Sequence, residues 1–166
     1  MGNASHFHPM PEQPMFHTRE SVIERVNAEF DALEELIASM SAEDFDRPSF
    51  TRFWREEWTI KDAISHVSAW ARAMVRSLEG KPRREPGTAL PVNETNAAVH
   101  AEWHDRSPAE VVAELRSVRA AAIAALRQRP DEFFSSRARS PRWPGDLTGH
   151  VREHRIRHVE EALRRS

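Results

Sequence analysis

Hydrophobic residues recur at three- and four-residue steps in four long segments of the chain, which is the period of an amphipathic α-helix. The first segment follows Thr18, the expected N-cap, and its apolar positions are Val22, Ile23, Val26, Phe30, Leu33, Ile37 and Met40. The second segment starts at Thr59, with Asp62 in a capping-box position. Gly80 is expected to end the second helix as its C′ residue.

The third and fourth helices carry their own boundary signals. Ser107 is followed by proline and, three residues on, by Glu110, which combines an N-cap, a proline at N1 and a capping box. Pro130 ends this helix. The last helix starts at Asp146 or Thr148 and continues almost to the end of the chain. The pattern therefore predicts an all-α protein, a four-helix bundle.

The segments between these helices are irregular. Residues 1–17 contain prolines and histidines without periodicity and are predicted to form a flexible N-terminal arm, which leaves 18–166 as one helical domain. Residues 81–92 hold three prolines and a glycine and form a long loop. A short helix over 93–104, with Asn93 as its expected cap, lies between this loop and the third main helix.

Composition narrows the class of protein. The chain has 166 residues, 5 glycines, no tyrosine and no cysteine, which favours helix and excludes disulfides and thiolate metal ligands. The formal charge of −2 gives no electrostatic case for nucleic acid as a partner. No apolar run approaches the roughly 18 residues of a membrane span, and no signal peptide is recognisable. A soluble, cytoplasmic protein without a membrane partner is expected.

The histidines of the last helix are the main candidates for chemistry. His150, His154 and His158 are four residues apart, so they share one helix face. Two of them could bind one cation together with His66, which lies beside the apolar stripe of the second helix. His150 and His158 are about 12 Å apart along an α-helix axis, so the pair is either His150 with His154 or His154 with His158.

Other interpretations compete with this site. His100 and His104 are also four apart and form an alternative metal pair on the short helix. The three histidines of the last helix could instead be solvated surface residues. Imidazole ligands suit Zn²⁺ or Ni²⁺ among the divalent ions, and Asp62, Glu153 or Glu160 could orient the imidazole N–H groups.

Several further side chains are candidates to line a pocket near the histidines. They are Trp54, Trp58, Trp70 and Asn93. Packing in the hydrophobic core is the competing interpretation for Trp58 and Trp70, since large aromatic side chains usually serve the core.

Three motifs together resemble one known family. The run WTIKDAISHVSAW at 58–70 is similar to the signature that opens the second helix in the DinB-like superfamily. The runs NETNAAV at 93–99, DRSPAEVVAEL at 105–115 and GHVREHRIRH at 149–158 resemble the ClbS/DfsB branch of that superfamily. The resemblance covers residues 18–163.

The resemblance implies a DinB-like bundle with an up-up-down-down arrangement and a three-histidine metal site. The family's first metal histidine corresponds to His66, and its HxxxH pair falls in the last helix. The branch pattern places an asparagine at His150 and the histidines at His154 and His158, which favours the second register. Because this chain has no tyrosine, the mechanism of any family member that uses a tyrosine in hydrolysis does not apply to it.

The function expected from these observations is metal-dependent chemistry on a small molecule. The family implies either a hydrolase or a thiol-dependent transferase, with His66, His154 and His158 as metal ligands and His150 in the alternative register. The competing hypothesis is a non-enzymatic stress-response or binding bundle, which could form a homodimer. The substrate itself is not predicted, because fold and site transfer between relatives better than reaction does.

Overall fold

The computed structural model describes residues 17–49, 57–84, 90–135 and 143–165. Its first five helices are α1 (Arg19–Ala38), α2 (Ile60–Leu78), α3 (Val92–Trp103), α4 (Pro108–Arg127) and the short α5 (Asp131–Ser135). The C-terminal helical segment is continuous and consists of α6 (Gly149–His154), a π-helical stretch (Arg155–Glu160) and α7 (Glu161–Arg164). Short 3₁₀ turns span Glu43–Asp46 and Gly145–Leu147.

The predicted fold class is confirmed. Within the described ranges the regular structure is helical, and the only strand-like pairing there is one bridge between Pro48 and Thr59. The short helix expected between the second and third main helices is α3. The structure is therefore an all-α bundle of four main helices.

Local sequence signals explain where the helices begin and end. Capping boxes form at Thr18, Thr59 and Ser107, where each side chain accepts a hydrogen bond from the backbone N–H three residues on. At the end of α2, Gly80 has φ of 76° and its N–H donates to the carbonyl of Ser77 at 3.1 Å. This C-terminal motif needs a left-handed residue, which glycine adopts without a Cβ clash.

One predicted cap is wrong. Helix α3 starts at Val92 with Pro91 as its N-cap, and no side chain caps it. Asn93 is an exposed residue in the first turn. The N-cap therefore lies two residues before the predicted one, with φ of −51° and ψ of 155°.

Helix α2 is the central element of the bundle. It packs against α4, α3 and α6, and α1 closes the core through α4 and α6. The largest fully buried side chains come from α1, α2, α4, α5 and the 3₁₀ turn before α6. They include Phe30, Leu33, Ile60, Ile64, Leu115, Leu126, Phe134 and Leu147. Burial of apolar area at about 25 cal/mol per Å² is the main stabilising contribution in such a core.

Two predictions fall outside the described residues. Trp54 is one, and the arm at 1–17 is the other except for His17. Both stay predictions. In the part of the chain that the structure describes, no helix is long and apolar enough to cross a membrane.

Candidate metal centre

His66 lies in a part of α2 that is buried on all sides over about two turns. All residues from Asp62 to Ser68 are buried, and His66 is only 3% exposed. The buried hydroxyls of Ser65 and Ser68 donate to the helix carbonyls of Lys61 and Ile64 at 3.0 Å, so they are satisfied locally. The imidazole of His66 contacts the rings of His150 and His154 in the C-terminal helical segment.

The other histidines come from the point where that segment changes from α to π geometry. His150 and His154 belong to α6, and His158 lies in the π-helical stretch. Val151 and Val159 are fully buried, which fixes the rotation of the segment against the core. The hydroxyl of Ser49 donates to the carbonyl of His158 at 2.9 Å, so the irregular turn receives a partner from outside the helix.

Three imidazoles converge between α2 and α6. One ring nitrogen from each of His66, His150 and His154 lies within 4.8 Å of the other two. The Nε2 atoms of His66 and His150 are 3.1 Å apart. Tetrahedral Zn²⁺ with bonds of about 2.05 Å separates its nitrogen ligands by about 3.3 Å, so a small movement of the rings accommodates the ion.

His158 joins this group through His154. The Nδ1 atoms of these two residues are 2.7 Å apart, and their ring centroids are separated by 4.6 Å. His154 therefore lies between His150 and His158 and contacts both rings. The ligand set inferred from the family, His66 with His154 and His158, stays a prediction.

Burial keeps these rings uncharged at neutral pH. Desolvation, followed by the neighbouring His150 and His158, lowers the pKa of His66 to about 3. Desolvation lowers the pKa of His158 to about 4, although Glu153 acts in the opposite direction. The pKa values of His150 and His154 are lowered too, mainly by burial. Neutral imidazole is the form that binds a metal, so protons do not compete for the site near pH 7.

The donor set fits a divalent ion. The Nδ1 atom of His150 is buried and has no hydrogen-bond partner within the described residues. Burying several imidazoles side by side leaves polar nitrogens without water, which costs free energy unless they find a partner. A cation held by the ring nitrogens would supply that partner.

A cleft leads to this centre. It has a volume of about 720 Å³ and is lined by His150 together with charged residues of both signs, Arg25, Glu29, Arg152 and Glu153. A small polar molecule in the cleft would therefore contact His150.

Two of the three carboxylates predicted to orient imidazoles pair with arginines, and the third contacts a histidine of α3. Glu153 pairs with Arg157 at 3.1 Å, and Glu160 pairs with Arg164 at 3.0 Å and also with Arg155. Asp62 contacts His104, with Nδ1 at 3.1 Å from each carboxylate oxygen. The hydrogen-bond partner of His154 that sequence reasoning missed is another histidine.

The tryptophans lie close to the histidines. Trp58 is 3% exposed and its ring meets His66 edge-on at 5.5 Å and stacks on His100 at 5.4 Å. Trp70 is half-buried, lies 6.2 Å from the rings of His66 and His150, and donates from Nε1 to Asn96. Whether either residue binds a substrate stays a prediction.

More than half of the sequence matches one family. A sequence model described as the DinB superfamily matches residues 50–162, which is more than half of the chain. The chain belongs to the DinB superfamily. The resemblance inferred from the motifs is thereby confirmed, and the HxxxH positions and His66 all lie inside the matched range. No curated protein matches this sequence.

Two solved structures share this DinB-like fold. The colibactin self-resistance protein ClbS, solved in complex with double-stranded DNA, superposes with a TM-score of 0.68 at 12% identity, covering 89% of this chain and 96% of ClbS. An uncharacterised protein from Escherichia coli UTI89 gives a TM-score of 0.59 at 16% identity, covering 89% of this chain and 88% of that protein. At these identities the likeness establishes the fold alone.

One expectation from composition is wrong. The near-neutral charge predicts no nucleic acid partner, yet ClbS, which has this fold, is solved in complex with double-stranded DNA. Net charge sums over the whole surface, whereas phosphate contacts depend on a local group of Lys or Arg side chains. The formal charge of −2 is therefore no argument against DNA binding.

Proposed function

We propose that this protein is a metal-dependent enzyme that acts on a small electrophilic molecule with water or a thiol as the nucleophile. The observation that supports it best is the meeting of three imidazoles from two helices beside a cleft that His150 lines. Three protein ligands leave a fourth position open, as in catalytic rather than structural zinc sites.

We propose His66, His150 and His154 as the ligands. With its proton on Nδ1, His154 donates to Nδ1 of His158, and its Nε2 is then the nitrogen available to an ion. His158 would orient His154 from behind, the role that carboxylates or carbonyls have in many metal sites. In the ligand set inferred from the family, His158 would bind the ion in place of His150.

The chain's own residues would position the substrate. Arg25 and Arg152 line the cleft and could hold an anionic or carbonyl oxygen, and Glu29 and Glu153 could hold a cationic group. When bound, Zn²⁺ or Ni²⁺ supplies a Lewis acid that lowers the pKa of water or a thiol. Trp58 closes the inner side of His66 and keeps bulk water away from it.

Zinc content distinguishes the two registers. Purified without a histidine tag and dialysed against Zn²⁺, His66→Ala and His154→Ala should each lose one equivalent relative to the wild type. If the proposed set is correct, His150→Ala also loses that equivalent, whereas His158→Gln weakens binding by about 10- to 100-fold. Loss of the ion in His158→Gln and its retention in His150→Ala would establish the family register instead.

Activity is tested with small electrophiles, with and without added thiol. The expected result is turnover that disappears on chelation, returns with Zn²⁺ or Ni²⁺, and is lost in His66→Ala. Turnover that requires a thiol indicates a transferase, and turnover in its absence indicates a hydrolase. Equal metal-dependent turnover in wild type and His66→Ala would refute the proposal.

Binding of double-stranded DNA is a second candidate, suggested by the ClbS complex. In this chain, Arg72, Arg76, Arg83 and Arg84 line a cleft of about 380 Å³ beside Trp70. Arg72 pairs with Glu114 and Arg83 with Asp146, so DNA phosphates would have to compete with these carboxylates. Such a cluster could contact phosphates although the overall charge is near neutral.

Fluorescence anisotropy with a labelled duplex tests this candidate. Each phosphate contact should contribute about −0.9 to the slope of log affinity against log salt, so Arg72→Ala/Arg83→Ala should flatten the slope. Arg116→Ala, which removes an exposed arginine of α4 paired with Glu34, is the matched control. No binding at low salt with protein at about 100 µM would exclude the candidate.

A further inference from the structure

A second group of potential ligands lies apart from the three-histidine centre. It consists of Asp62 in the first turn of α2 and of His100 and His104 at the end of α3. One ligand atom from each residue lies within 4.8 Å of the other two. The chemistry proposed above uses none of these residues.

The carboxylate of Asp62 is fully buried, with 0% of its side chain exposed. The backbone N–H and the hydroxyl of Thr59 both donate to Oδ2, at 2.8 and 2.9 Å. Because a carboxylate has about four lone-pair directions, Oδ1 keeps acceptor capacity for another partner. A buried anion of this kind is stabilised by a positive charge in contact with it.

His100 presents a nitrogen that lacks a hydrogen bond. Its Nε2 atom is buried and has no hydrogen-bond partner in the described part of the chain, and it lies 3.7 Å from Oδ2 of Asp62. The ring is held between Trp58, stacked at 5.4 Å, and His104, stacked at 4.5 Å. Packing thus fixes this nitrogen toward the carboxylate without giving it a hydrogen-bond partner among the described residues.

The spacing of the three residues matches a metal site. A tetrahedral ion with bonds of about 2.05 Å has ligand atoms about 3.3 Å apart. The observed separations from Asp62, 3.1 Å to His104 and 3.7 Å to His100, lie on either side of that value. The side chain of His104 is 43% exposed, which gives an ion a route from solvent.

We propose that Asp62, His100 and His104 form a second site for a divalent transition metal, with Zn²⁺ as the best match. Two imidazoles and one carboxylate make a three-ligand set with an open position. The site is separate from the three-histidine centre. Asp62 and His66 are one helical turn apart, about 6 Å along the axis, and the ring of Trp58 lies against both groups.

The stoichiometry of zinc binding tests this site. All proteins carry His6→Gln, His8→Gln and His17→Gln, so that the N-terminal histidines hold no ion. After equilibrium dialysis, mass spectrometry should find two equivalents in this background and one in His100→Gln. The same loss is expected in Asp62→Asn, which keeps an acceptor oxygen for Thr59 while removing the anionic ligand.

His66→Ala separates this site from the first one. It should also bind one equivalent, and His66→Ala/His100→Gln should bind none, with circular dichroism confirming that each variant folds. If the background protein binds one equivalent that only His66→Ala removes, the second site is refuted and the first stands. If the single equivalent is lost in His100→Gln but kept in His66→Ala, the first is refuted. Zinc bound equally by the background protein, His100→Gln and Asp62→Asn overturns the second site.

Discussion

The buried histidines should make the metal-free protein unusually sensitive to mild acid. The pKa of His66 is about 3 in the folded state and about 6.5 in an unfolded chain. A folded-state pKa below the unfolded one means that the unfolded chain binds more protons as the pH falls through 6.5. The stability that the neutral ring permits is therefore present above pH 6.5 and is lost on acidification.

The size of the effect follows from proton linkage. Each such ring contributes about 1.4 kcal/mol per pH unit, or about 2 kcal/mol between pH 6.5 and pH 5. Burial lowers the pKa of His154 as well, so these two rings alone remove about 4 kcal/mol by pH 5. The lowered pKa values of His150 and His158 act in the same direction. A domain of this size has a total stability of about 5–15 kcal/mol, so the loss is a large fraction.

Urea unfolding of the EDTA-treated protein, followed by tryptophan fluorescence at about pH 8 and about pH 5, measures this loss. In His66→Gln the pH-dependent loss should fall by about 2 kcal/mol, because one ring no longer titrates. Ile64→Val is the control: it removes a buried methylene on the same helix, costing about 1 kcal/mol at both pH values. A wild-type difference below about 1 kcal/mol would refute the assignment of neutral buried rings.

Three further predictions concern caps, glycine and metal. Thr59→Ala removes one half of the α2 capping box and should lower the free energy of unfolding by about 1 kcal/mol, seen as a lower urea midpoint. Gly80→Ala should cost about 1 kcal/mol in the same assay because φ is 76°, whereas Gly149→Ala, with open space around its Cβ and no positive φ, should not destabilise. Zinc at a hundred times its dissociation constant should raise the free energy of unfolding by about 2.7 kcal/mol per site. The resulting rise in melting temperature should be smaller in His154→Ala than in the wild type. An equal rise would contradict metal binding by His154.

The helices could be predicted from sequence because their signals are local. Thr59 with Asp62 and Ser107 with Glu110 each form a capping box within four residues, and Gly80 ends α2 where expected. The start of α3 departs from the prediction, since its N-cap is Pro91 and no side chain caps it. The short α5 and the π-helical stretch were not predicted either. Such interactions depend on neighbours in the chain and little on tertiary packing.

The arrangement of the histidines could not be predicted in the same way. Spacing indicated that His150 and His158 are too far apart to share an ion with His154, but it could not show which of them faces His66. Which histidine faces His66 depends on the π-helical stretch, which no sequence pattern predicts. It also depends on the burial of Val151 and Val159 in the core. The link between Asp62 and His104 spans 42 residues and exists only because α3 packs on α2.

Helix α2 connects the stability of this fold to its candidate chemistry. The burial that orders the bundle also desolvates His66 and Asp62, which lie one turn apart on the same face. Desolvation keeps imidazole neutral and ready to bind a cation, while it leaves the metal-free cluster costly to hold together. A core built only for stability would place apolar side chains there. Two buried histidines, two half-buried ones beside them and a buried carboxylate are the kind of local cost that proteins retain for function.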